Sequence, residues 1–326
     1  MNSSGTKKSH LAIILTSVLL VALLIFLLIN HTAVIDTFKG IGYNPTPDAL
    51  AIKTSLNLTA DGERIWNAAH PILASRDDFN ESCESHDEAI SVLGCYTGDR
   101  IYVYNVTDTK LAGIRESTSA HEFLHAVWTR LTGLEKSELV PLLESVYQSH
   151  SELKETIESY PEEERIGELY VRLATQIADL PEALETHYAK YFKDQDAVAA
   201  FYESYIAPFN DLIAEIEKLK SELKSLEAQI SAESAALDTR LAAFDAAVAE
   251  FNTCAETAGC FNSWTFSSRR AELVTEQQAL NLLNDQLNAL INSYNAKAEA
   301  YNSSIARSSD LQNLINSNAP VTTIEE

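Results

Sequence analysis

Residues 11–29 read LAIILTSVLLVALLIFLLI, nineteen positions with no charge, no glycine and no proline. As a helix this run spans about 28 Å, close to the hydrocarbon thickness of a bilayer. A buried core helix would carry a polar stripe, which this run lacks. A cleaved signal peptide would have a shorter apolar stretch ending in small residues, and Asn30-His31-Thr32-Ala33-Val34 offers a poor cleavage site. The sequence therefore predicts one transmembrane helix at 11–29. Lys7 and Lys8 precede it and no basic cluster follows. That asymmetry leaves residues 1–10 as a cytoplasmic tail and places the rest of the chain outside the cytoplasm.

Cysteine usage agrees with an oxidising compartment. The four cysteines form two close pairs, Cys83 with Cys95 and Cys254 with Cys260, and two disulfides are expected. The pairs lie far apart in sequence and neither has CxxC spacing, which argues against a four-cysteine zinc cluster. A net charge of −23 argues against nucleic acid as a partner, because phosphate binding needs clustered Lys and Arg. With 326 residues, 46% of them hydrophobic, the chain is long enough for one or two domains with a real core.

The expected fold is mainly α with a small β-sheet. Residues 30–59 read as a tether, interrupted by Pro45 and Pro47. Mixed helical and strand-like periods over 60–205 predict the globular domain. Within it, 100–106 is β-branched and aromatic and follows the turn signal Thr97-Gly98-Asp99, so a strand is expected there. Apolar residues at helical spacing predict a helix over 114–134, with Gly133 as its stop. A further helix is expected over 162–180, and Pro181 opens another.

Over 206–316 the pattern becomes heptad-like. Ile216, Leu219, Leu223, Leu226 and Ile230 recur three and four apart, and Leu273, Leu280, Leu287, Tyr294 and Tyr301 seven apart. Two coiled-coil arms joined by a link that holds Gly259, Cys254 and Cys260 predict an antiparallel hairpin with a disulfide-clasped tip. The competing arrangement pairs each arm with another protein or with a second copy of the chain. Residues 317–326 read as a flexible tail.

The strongest chemical signal is His121-Glu122-Phe123-Leu124-His125. Residues four apart on a helix lie one turn above each other, so both imidazoles share a face and can hold one zinc ion. Glu122 falls beside that ion, where a carboxylate can take the proton of zinc-bound water. Phe123 and Leu124 are left to bury the other side of the helix. A bland reading also exists: Ser119 and Glu122 have the spacing of a helix-capping box. The apolar pattern running back to Ile114 argues against a helix start at Ser119, and the start is expected nearer 107–110.

These residues resemble the HExxH signature of the zincin metallopeptidases. The resemblance implies His121 and His125 as zinc ligands, Glu122 as general base, and a strand upstream that pairs with extended substrate, for which 100–106 is in place. Metzincins would need Gly and His where this chain has Trp128 and Leu131, which excludes that subfamily. Gluzincins take a third ligand from a later helix, and Glu168 stands among Ile166, Leu169 and Leu173, where an uncompensated carboxylate would be costly. Arg172 occupies the position where gluzincins often carry Asp. His150 and His187 are lesser alternatives as ligands. Tyr170, His187 and Tyr188 are candidates for stabilising the developing oxyanion.

The expected activity is zinc-dependent hydrolysis of peptide or protein substrates at the outer face of a membrane. An inactive zincin-like domain in a coiled-coil envelope scaffold or adhesion protein is the alternative. A zinc enzyme acting on non-peptide amides would share the same metal site.

Overall fold

The structure is a computed structural model, which describes residues 16–18, 21, 31–83 and 93–317 of the chain. The expected membrane span at 11–29 thus lies, but for four positions, outside the described residues, as do 1–10 and 318–326. Among the described residues no helix is long and apolar enough to cross a membrane. The chain divides into two units, Met1–Pro208 with Gln312–Glu326, and Phe209–Leu311.

The first unit is mainly helical and begins earlier than the sequence predicts. Residues expected as a tether form helices α1 (His31–Gly40) and α2 (Pro47–Ser55). Proline does not break α2. It sits at the first helical position, where its missing N–H costs nothing, and the Thr46 hydroxyl caps the turn by accepting from Ala49 N. Asp36 on α1 is 4% exposed and receives Arg130 in a bidentate pair, with Nε 2.9 Å from Oδ2 and Nη2 2.9 Å from Oδ1. This segment is therefore part of the fold.

Helix α3 (Ala60–Ala68) leads into β1 (Ile72–Ala74), α4 (Arg76–Ser82), β2 (Gly94–Thr97) and β3 (Arg100–Tyr104). The three strands are ordered β1-β3-β2. β1 runs parallel to β3, pairing Ile72 with Tyr102, and β2 runs antiparallel, pairing Cys95 with Tyr102. Two residues join β2 to β3, Gly98 and Asp99, both at positive φ (56° and 62°). This is the backbone of a tight hairpin turn whose twist matches that of the strands. The expected strand at 100–106 is thus the centre of the sheet, with a neighbour on each side.

Helix α5 (Ile114–Arg130) carries the HEFLH sequence and starts at Ile114, with Gly113 as its cap residue. Ser119 lies well inside the helix, so Ser119 and Glu122 form no capping box. The helix stops at Arg130, not at Gly133. Leu131 turns extended, and Thr132 with Glu135 forms the capping box that starts α6 (Gly133–Tyr147). The inner face of α5 is fully buried at Phe123, Leu124 and Val127. Phe123 packs its ring 5.5 Å from Phe192 and 6.0 Å from Trp66, which fixes the helix against the core.

After α7 (Lys154–Ser159) comes α8 (Arg165–Gln176), which packs on α5, and then α9 (Glu182–Tyr188), with Pro181 as its cap residue. The described end of the chain stays ordered: Ser317 is 3% exposed, and its carbonyl accepts from Asn80 Nδ2 at 2.8 Å.

Two long helices, α10 (Gln195–Glu256) and α11 (Ser263–Ile315), supply the second unit. Their ion pairs run in opposite order: Arg307 meets Glu215, Lys297 meets Glu222, and Arg240 meets Glu276. That sequence of partners makes an antiparallel helical hairpin. The Cys254–Cys260 disulfide closes its link, beside the clustered rings of Phe251, Phe261 and Phe266.

Candidate metal centre

Helix α5 projects His121 and His125 from one face, and α8 brings Glu168 opposite them. The Nε2 atoms of the two imidazoles lie 3.2 Å apart. Glu168 Oε1 is 3.0 Å from His125 Nε2, and Glu168 Oε2 is 3.7 Å from His121 Nε2. Donors at about 2.0–2.1 Å from a shared tetrahedral ion stand about 3.3 Å from one another. The imidazole pair and each ring's nearer carboxylate oxygen lie at about that spacing, and one donor atom from each of the three residues falls within 4.8 Å of the other two. Among the described residues these three form the group able to hold a metal ion.

The chemistry of the donors agrees. Glu168 is 7% exposed, and its buried Oε2 accepts no hydrogen bond among the described residues, although the Arg172 guanidinium lies 3.3 Å away as an ion-pair partner. A buried acceptor without a hydrogen bond is costly, and Arg172 offsets part of that cost here while a metal ion would offset more. Burial would raise the Glu168 carboxyl, but the hydrogen bond with His125 and the charges of His121, His125 and Arg172 outweigh it and hold the group at about 2. Burial, with His125 beside it, lowers His121 to about 3, so that ring is neutral and ready to donate a lone pair. Burial also pulls on His125, yet its bond to Glu168 and the charges of Glu122 and Glu168 leave it above the usual value. A metal ion entering here replaces the proton shared by His125 and Glu168.

The group opens onto a cavity of about 900 Å³, within the size range of small-ligand sites. Glu122 lines it from α5 and is 6% exposed. The whole of β2 lines another wall. Because β2 pairs only with β3 among the described strands, its other edge is the one left for an extended chain. The expected substrate strand at 100–106 has no such edge. The Cys83–Cys95 disulfide ties β2 to the end of α4 at the rim.

Several expected site residues lie elsewhere. Tyr170 and His187 bond to each other at 3.0 Å, and Tyr188 donates to the Tyr170 carbonyl at 2.7 Å, all within the core and none on the cavity wall. Burial lowers His187 to about 4. His150 is paired with Glu152 at 2.6 Å, away from the cavity. The tyrosines that line the cavity are instead Tyr96, Tyr160, Tyr202 and Tyr205, and Arg172 and Gly94 also border it. Tyr202 and Tyr205 share a helix face, a spacing visible in the sequence, but nothing in the sequence says which face meets the cavity.

Compared with models of known protein families, with curated proteins and with solved structures, the chain matches none of them.

Proposed function

We propose that this chain is a zinc-dependent peptidase, held at a membrane by residues 11–29 with its folded part outside the cytoplasm. The reading rests on one observation above the others: two imidazoles and a carboxylate converge closely enough to share one ion, with Glu122 on the same cavity wall. His121, His125 and Glu168 would hold the ion. Zinc held there would supply Lewis-acid chemistry that activates water near neutral pH.

The remaining work falls to the chain's own residues. Glu122 takes a proton from the attacking water and returns it to the leaving amine, general acid–base catalysis of the kind worth about 10²–10⁴-fold. The outer edge of β2, Gly94–Thr97, offers backbone groups to an extended peptide along the cavity wall. The uncharged run at 11–29 and the two disulfides support the placement outside the cytoplasm.

Zinc analysis of the full chain in detergent, with turnover of a mixed peptide library, tests this. The wild type should bind one zinc per chain and cleave. Glu122→Gln should keep the metal and lose turnover by about 10²–10⁴-fold, whereas Glu168→Ala should lose metal affinity. Turnover in Glu122→Gln equal to the wild type would end the assignment, as would a protein that takes up no zinc.

A further inference from the structure

Arg172 lies one helical turn after Glu168, on the same face of α8, and borders the cavity. It is the one Lys or Arg among the described residues lining that cavity, whose other charged residues include Glu81, Glu122, Glu164 and Glu168. Two contacts fix its guanidinium. Nε is 3.3 Å from Glu168 Oε2, and Nη2 donates to the Tyr160 hydroxyl at 3.0 Å, with the Tyr160 ring 5.6 Å away. Nη1 has no hydrogen-bond partner among the described residues, and unlike Nε it is not closed off from solvent.

The charge balance at this wall changes with the metal. Without it, Arg172 and Glu168 neutralise each other. Once Glu168 is committed to a dication held by two neutral imidazoles, Arg172 is a cation beside a cation with no counter-ion of its own. Such a charge is expensive to keep part-buried unless an anion arrives. Arginine presents a planar fork suited to carboxylates, and its orientation here is already set.

We propose that Arg172 anchors a substrate carboxylate, so that the site prefers peptides carrying one within about a residue of the scissile carbonyl. Arg172 adjoins Glu168, and a residue of extended chain advances only about 3.3–3.6 Å, so the group it meets neighbours the bond being cut. A C-terminal carboxylate and an acidic side chain share this chemistry. The inference rests on the peptidase reading, and the experiment separates the two.

The probes are a mercaptoacyl amino acid, whose thiol ligates zinc, and the same compound with its carboxylate converted to an amide. Both are titrated against the zinc-loaded full chain in detergent, in wild type, Arg172→Gln and Arg172→Lys. The wild type should bind the acid about 10- to 100-fold more tightly than the amide, the range for a hydrogen bond to a charged group. In Arg172→Gln that preference should fall to about threefold or less, with Arg172→Lys in between. Matched peptides should follow in kcat/KM: a free terminus against an amide, and Glu against Gln after the scissile bond, show which carboxylate is read. Equal binding of acid and amide by the wild type overturns the proposal without reference to any variant, and so does a preference that survives in Arg172→Gln. A wild type that binds zinc and cuts peptides yet ignores the carboxylate sinks this inference alone. A wild type without zinc sinks the peptidase reading and this inference with it.

Discussion

Gly94 lies so close to Glu122 that a methyl group on it would sit 2.7 Å from both Cγ and Oε1 of the glutamate, and equally near Thr118 Cγ2. The edge of β2 thus sets where the Glu122 carboxylate rests. Gly94→Ala should push that carboxylate off its position, and misplacement by about 1 Å can cost on the order of 10²-fold in rate. The atoms nearest the added methyl belong to Glu122 and Thr118 and not to His121, His125 or Glu168, so zinc content should hold. Peptide turnover beside zinc stoichiometry checks this, and turnover within twofold of wild type would show that Gly94 does not position the base.

The Asp36–Arg130 pair joins α1 to the end of α5, the helix that carries His121 and His125. Arg130 is 12% exposed, and besides Asp36 it donates to the Tyr96 hydroxyl at 3.1 Å and the Ala126 carbonyl at 2.7 Å. Asp36→Ala strands a buried guanidinium, which should cost about 3–5 kcal/mol. Pairing Asp36→Leu with Arg130→Met should recover much of that loss, because no charge is then left uncompensated. Urea midpoints of the single and double variants decide it. A single variant as stable as wild type would return residues 31–40 to the role of a tether.

How much of this was legible in the sequence follows from how local each cause is. His121 and His125 could be read because one turn of one helix sets their relation. Glu168 could be read because a carboxylate among apolar neighbours needs a reason to be there. Tyr170 was misplaced by the same locality: two positions past Glu168 it points to the far side of α8, whereas Arg172, four past, shares the face. Gly94 left no trace in the sequence, since its role exists only once β2 packs on α5. The tether reading failed for a like reason. Its pair of prolines argued for irregular chain, while the residue that fixes Asp36 stands 94 positions away. The Thr132–Glu135 capping box, by contrast, was present in the sequence as T-x-x-E and marks the helix start more sharply than Gly133 marks a stop.

His187 gives the fold a pH dependence separate from the metal. Its folded value is about 4, below the roughly 6.5 of an unfolded histidine. Between those values the unfolded chain takes up a proton that the folded chain refuses, so stability falls as pH drops through 6.5 and levels off near 4. Allowing for solvent screening, the loss should be about 1–2 kcal/mol. Other groups titrate in the same window, so the informative quantity is a difference. Wild type should lose that much more stability from pH 7.5 to 4.5 than His187→Gln, whose amide can still hydrogen-bond the Tyr170 hydroxyl. Parallel pH profiles for the two proteins would remove His187 as the cause.

The hairpin's disulfide makes the opposite kind of claim, that a local change stays local. Cys254 and Cys260 are separated by six positions, and a loop that short restricts the unfolded chain by about 2 kcal/mol. The turn it encloses has few other restraints: Asn262 caps the second helix by accepting from Trp264 N and Thr265 N, and Trp264 is 76% exposed. Replacing both cysteines with serine should therefore speed amide hydrogen exchange through roughly 248–268, where the helix ends lose their clasp. Farther along the arms, the Arg240–Glu276 pair and the buried Leu237 and Leu280 should keep their protection. The zinc affinity proposed for His121, His125 and Glu168 should not move. Exchange that quickened along both arms would show that the disulfide, not the apolar seam, holds the hairpin in register.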